Sequence, residues 1–149
     1  MDEIDRQLLT RLQEDATRSY AELGRAVGLS AASAHDRVRK LRDRGVIRRT
    51  TVEIDPAAVE RGVAAYVMIS AASWMGDPPT RDALLAIPAI QEAHVVAGAS
   101  SLLVKLRTAT NEQLQAALRE IYAIDGVSGT QTVVVLETFF ERPLNLLPD

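Results

Sequence analysis

The sequence predicts an α+β chain of two units. These are a winged helix-turn-helix over residues 1–54, a linker over 55–62, and a ferredoxin-like β-α-β-β-α-β unit over 63–149 that ends in a tail. Three observations predict it. Residues 19–49 hold two capped helical patterns separated by a Gly-Leu turn, and the second is studded with arginines. After Gly45 the pattern turns from helical spacing to β-prone runs. From Val63 onward such runs alternate with two helical patterns in the order strand, helix, strand, strand, helix, strand.

Asp2 to Glu14 reads as a helix, with Ile4, Leu8 and Leu12 on one face. Ala16 to Arg18 connect it to the next. Ser19 and Glu22 have capping-box spacing: the hydroxyl can accept from the third helical amide while the carboxylate reaches back. Gly28 can close this helix, because glycine enters the left-handed conformation cheaply. Ser30 is a natural N-cap for a third helix, in which Ala34, Val38 and Leu41 form one apolar stripe. Gly45 can close that helix. Thr50, Val52 and Ile54 alternate on one side of a β-prone stretch, expected to form a wing or an inter-domain or dimer connection. Asp55-Pro56 opens a short turn that ends near Gly62.

The second unit has a different grammar. Val63–Ser73 reads as a strand, residues 74–79 as a loop, Thr80–Ile87 as a short helix stopped by Pro88, and Ile90–Ala97 and Leu102–Thr108 as strands. Thr110 and Gln113 repeat the capping spacing before a helix carrying Leu114, Ala117, Leu118 and Ile121. Asp125-Gly126 turns the chain into Thr130–Thr138, the most β-prone run. A sheet with helices on one face leaves its other face to be covered, so a dimer is expected. Phe139, Phe140, Leu144, Leu146 and Leu147 are too apolar for a free tail, which is expected to pack on the sheet or on a neighbouring subunit.

Charge is unevenly divided. The whole chain carries a formal −3, yet residues 1–54 hold eleven Lys/Arg against nine Asp/Glu, and residues 55–149 hold six against eleven. From Arg37 to Arg49 seven cations face Asp43 alone. Basic charge beside a helix-turn-helix is the footprint of double-stranded DNA binding, in which Lys and Arg grip phosphates and Arg also forks guanine. The candidate DNA-binding residues are Ser30, Ala32, Ser33, His35, Asp36, Arg37, Arg39, Lys40, Arg44 and Arg48. Arg37, Arg39 and Lys40 are expected to supply affinity and the lower helix residues base reading. Asp36 and Asp43 are expected to set the geometry of neighbouring cations. The bland alternative for this helix is a solvated face of mixed charge.

Other classes fare less well. No cysteine is present, so disulfides and thiolate metal sites are excluded, and the two histidines are far apart, so no metal or cofactor is expected. No signal-peptide order opens the chain, and its longest apolar run, Val63 to Ala72, is half of what a membrane helix needs; the reading is cytoplasmic, with no membrane partner. An enzyme is the competing class, since small ferredoxin-like dimers include catalysts. No nucleophile–base pair, phosphate loop or paired carboxylate motif supports it. Trp74 and Met75 suit a subunit contact, and His94 a structural strand position.

The chain resembles the Lrp/AsnC family, the leucine-responsive or feast/famine regulators, from about Ile4 to the final strand. The resemblance is carried by IDRQLLTRLQEDATRSYAELGRAVGLS, VRKLRDRGVI, DPAAVERG, IPAIQEAHVVAG and TQTVVVLE, in order and correctly spaced. It implies a winged helix-turn-helix, a ferredoxin-like effector domain, and dimers that assemble into octamers and regulate transcription. It also implies an amino-acid effector, bound between dimers at the loop after the second effector-domain strand. Here that loop is Gly98, Ala99, Ser100, Ser101 and Leu102, with Thr130 and Thr132 of the last strand implied to border the same pocket. The family's acidic residues in this loop are replaced by Ala99 and serines, which lack the charge an ammonium group prefers. A different small ligand, a weakly held amino acid, and no effector at all, as in an architectural DNA-binding protein, are therefore all open.

Overall fold

The structure, a computed structural model, describes residues 1–146; Leu147 of the apolar tail lies outside the described residues. The chain divides into two compact units, one formed by residues 1–53 with the tail from Phe140, the other by Ile54–Phe139. The tail thus groups with the helical unit. In that unit Leu144 and Leu146 line a hollow with Leu9, Leu12, Val46 and Ile47, an apolar surface that the sequence pattern alone does not reveal.

Three helices build the first unit: α1 (Glu3–Glu14), α2 (Tyr20–Ala26) and α3 (Ala31–Asp43). Each begins at a side chain that satisfies an otherwise orphaned amide. The Asp5 amide donates to Asp2 at 2.8 Å, the Glu22 amide to Ser19 at 3.3 Å and the Ser33 amide to Ser30 at 3.1 Å. Leu8, Leu23 and Ala34 meet at the centre, with Val38 and Leu41 also out of solvent. The turn between α2 and α3 depends on Gly24. The Leu29 amide donates to its carbonyl at 2.7 Å, and a Cβ there would stand 2.6 Å from the Leu29 carbonyl oxygen and 2.9 Å from that of Ser30. Gly28 then takes φ +73°.

No strand forms between residues 44 and 62, so the expected wing is absent from the single chain. Thr50 to Ile54 are exposed and have no ladder partner within it. A lone β-prone segment gains its hydrogen bonds only from a second strand, whatever its propensity. Residues 56–60 form a turn closed by the Arg61 amide on the Pro56 carbonyl at 2.7 Å.

The second unit follows the expected order: β1 (Val63–Ala71), α4 (Pro78–Leu85), β2 (Ile90–Val95), β3 (Leu102–Thr108), α5 (Asn111–Tyr122) and β4 (Val127–Val135). All neighbours are antiparallel, in the order β2-β3-β1-β4. Helix α4 starts two residues earlier than the sequence suggested, because Asp77 accepts the Thr80 amide and the two prolines need no partner at the first helical positions. Strand β4 starts three residues earlier, because Val127 to Gly129 pair with Ala71 and Ser70 across a bulge. Val67, Ile69, Val104, Leu106 and Ile121 fill the core between sheet and helices. The opposite sheet face carries Tyr66, Met68, Leu103, Lys105 and Val133. Among the described residues, no helix is long and apolar enough to cross a membrane.

Candidate nucleic-acid interface and effector loop

Helix α3 is fixed on three sides and free on the fourth. Its stripe of Ala34, Val38 and Leu41 is buried. On one flank Arg37 bonds Asp2 at 2.7 Å and Asp5 at 2.8 Å, so that the N-cap of α1 and the side of α3 are one ion-paired joint. The Arg37 guanidinium is thereby engaged within the unit. Asp2 is held below the usual carboxylate range, first by the Asp5 amide and then by Arg37. On the other flank His35 meets the Tyr20 ring edge-on, with centroids 4.7 Å apart, and Arg42 donates to the Tyr20 hydroxyl at 3.3 Å. Tyr20 and Arg42, which the sequence reading left out of the site, therefore help orient α3. Their signal was available in the spacing: Tyr20 is the first residue of α2, and residues 35 and 42 lie seven apart on one helix face.

The free face holds Ala32, Ser33, Asp36, Arg39, Lys40 and Asp43. Asp36 receives Arg39 at 2.6 Å on one carboxylate oxygen and Lys40 at 2.8 Å on the other. These contacts, Lys40 first and Arg39 second, hold its carboxyl down at about 2. All three cations expected to supply affinity, Arg37, Arg39 and Lys40, thus lie against carboxylates. Ser30, at the helix start, donates to the Ser33 hydroxyl at 2.9 Å. A polar hollow of about 350 Å³ runs along this side, lined by Ser33, Asp36, Lys40 and Arg44 among others. Arg44 caps α3 through its backbone, and its side chain, like that of Arg48, is exposed.

In the second unit the hairpin between β2 and β3 carries Gly98, Ala99, Ser100 and Ser101. Gly98 has φ +143°, and the Ser101 amide donates to the Ile69 carbonyl at 2.8 Å while its carbonyl accepts from Val96 at 3.1 Å. Leu102 is 2% exposed and belongs to the hydrophobic core; the alternation of β3 turns it toward the helices. Leu102, Ile69 and Thr130 form one cross-strand row, which brings the loop and Thr130 to the same end of the sheet. Thr132 stands two residues further along, opposite Val67. Ser70 and Gly129, paired at that same end, were not singled out by sequence. A separate hollow of about 480 Å³ lies between α4 and β2, lined by Met75, Asp77, Leu84, Ile90, His94 and Leu102 among others, without Gly98 to Ser101. Among the described residues no group of three or more His, Asp or Glu is placed to hold a metal.

Comparison with known proteins accounts for both units. Residues 1–42 match the AsnC-type helix-turn-helix domain, and residues 64–144 the Lrp/AsnC ligand binding domain. The chain is 34% identical over 141 residues to the HTH-type transcriptional regulator FL11 of Pyrococcus horikoshii, covering 95% of this chain and 93% of that protein. It is 32% identical to LrpA of Mycobacterium tuberculosis, covering 94% and 93%. Escherichia coli AsnC superposes with a TM-score of 0.86 at 29% identity, covering 97% of each chain. A feast or famine regulatory protein of M. tuberculosis, complexed with L-methionine, superposes with a TM-score of 0.88 at 30% identity, covering 98% and 99%. With both domains matched in order over nearly its whole length, the chain belongs to the Lrp/AsnC family of DNA-binding transcriptional regulators.

Proposed function

We propose that this regulator acts as a dimer that lays α3 of each subunit in the major groove of successive half-sites, about one turn or ~34 Å apart. The observation that carries the reading is the free face of α3, flanked by exposed Arg44 and Arg48 while the other faces are packed or ion-paired. Ser30, Ala32, Ser33 and His35 occupy the helix start, where bases are met. Arg44 and Arg48 grip phosphates. The open sheet face with Tyr66, Met68 and Val133 supplies the dimer contact, and octamers form from such dimers. The protein works on cytoplasmic DNA and catalyses no reaction.

A small-molecule effector binds at the sheet end formed by Gly98 to Ser101 and Thr130, with Thr132 farther along β4. The methionine complex of a structural relative supports an amino acid or a related metabolite as its class. The missing carboxylates in the loop favour a second reading, an architectural protein that needs no effector.

Titration of labelled duplexes over a salt series tests the DNA reading. Arg44→Ala and Arg48→Ala should each weaken binding to every sequence alike and lower the salt slope by about one unit. Unchanged affinity and slope in both variants would refute this assignment of phosphate contacts.

A further inference from the structure

The outward strip of α3 is charge-balanced. Asp36 and Asp43 flank Arg39 and Lys40, and Arg39 feels both acids. A helix that only had to hold phosphates would gain nothing from two carboxylates facing the same way, since each repels the backbone of DNA. The geometry gives one of them a different task. The Arg39 guanidinium reaches back three residues, and its Nη2 meets Asp36 at 2.6 Å. This draws the guanidinium toward the N-terminal half of α3, the part of a recognition helix that meets base edges. The contact engages one nitrogen, while a guanidinium carries five N–H donors in a planar fork. The remaining donors match the O6 and N7 acceptors of guanine. Lys40 occupies the other Asp36 oxygen at 2.8 Å, so the carboxylate is held from both sides. A held carboxylate lowers the ordering cost of the arginine it aims.

We propose that Asp36 and Arg39 act as one base-reading unit, in which the carboxylate aims the guanidinium at a guanine in the major groove and penalises seating against phosphate. The inference rests on the reading that α3 enters that groove. Asp36 is a positioning residue, Arg39 reads the base, and the remaining cations supply affinity without sequence preference.

Parallel enrichment of binding sites from a random duplex library, using the full chain and its Asp36→Asn and Arg39→Ala variants, tests it. The unaltered protein should select a half-site containing a guanine. Replacing that guanine by 7-deazaguanine should weaken its binding about tenfold, and should leave Arg39→Ala unaffected. Asp36→Asn should lose preference at the same base pair, about tenfold, while binding random DNA more tightly and with a steeper salt slope. A selected motif that Asp36→Asn reads unchanged, or a guanine indifferent to deaza substitution, would overturn the proposal alone. Selection of no motif by the unaltered protein would overturn the groove reading and this unit with it. The deaza measurement needs no variant, so it stands even if a substitution lowers folding stability.

Discussion

At the scale of single residues, the acids of the DNA-binding unit do more than offset its arginines. Asp2 and Asp5 lock Arg37, and Asp36 holds Arg39 and Lys40. These pairs carry a pH signature. The Asp36 carboxyl sits at about 2 against an ordinary value of 3.8, so its contribution to stability is complete above ~4 and is lost as pH falls toward ~2. Asp2, Asp15, Glu22, Asp77 and Glu112 are shifted in the same direction, each by a hydrogen bond to its carboxylate. Thermal melts from pH 6 down to 2.5 should therefore show a falling acid limb, shallower in Asp36→Asn. A limb of the same steepness in that variant would show that the Asp36 pairs add nothing. The residues on this face were legible in sequence, because helical periodicity alone separates them from the buried stripe. Their partners were not: Asp2 and Arg37 are 35 positions apart, and only packing of α1 on α3 brings them together.

At the scale of elements, capping chemistry was the most readable signal. Ser19, Ser30 and Thr110 each accept the amide three residues on, as their spacing suggested. Gly24 was not recognised, since it sits inside a helical pattern and looks like a mere weakness there. Its role appears once the Leu29 and Ser30 carbonyls close over it. Gly24→Ala should force the turn open and cost about 1–3 kcal/mol, as overpacking does. Denaturant unfolding measures this, and a midpoint within error of the unaltered protein would show that the turn yields freely. Of the two expectations for residues 50–54, a wing within the chain does not form. Thr50 to Ile54 have strand propensity, but a strand is a pairing, and propensity does not supply the partner.

At the scale of the whole molecule, the question is what the sheet's open face and the serine loop do in assembly. A ligand can shift an assembly only by binding one state better than another. Light scattering with and without a panel of amino acids and related metabolites separates the two readings of the effector loop. A change of mass with one compound identifies effector and switch together. Constant mass across the panel, with DNA affinity equally unmoved, favours the architectural reading.

The sequence by itself determined the order of the helices and sheet strands, the caps at Ser19, Ser30 and Thr110, the position of the arginine-rich helix and the family. All of these rest on local periodicity, short-range hydrogen bonds or residue identity. Only the tertiary structure decided that Arg37 is a joint, that Gly24 is a close approach, that Leu102 is core, and that the loop shares a sheet end with Thr130. Each of these depends on residues distant in the chain or on a backbone path that no local pattern specifies. Burial and pairing of that kind arise only when the elements pack.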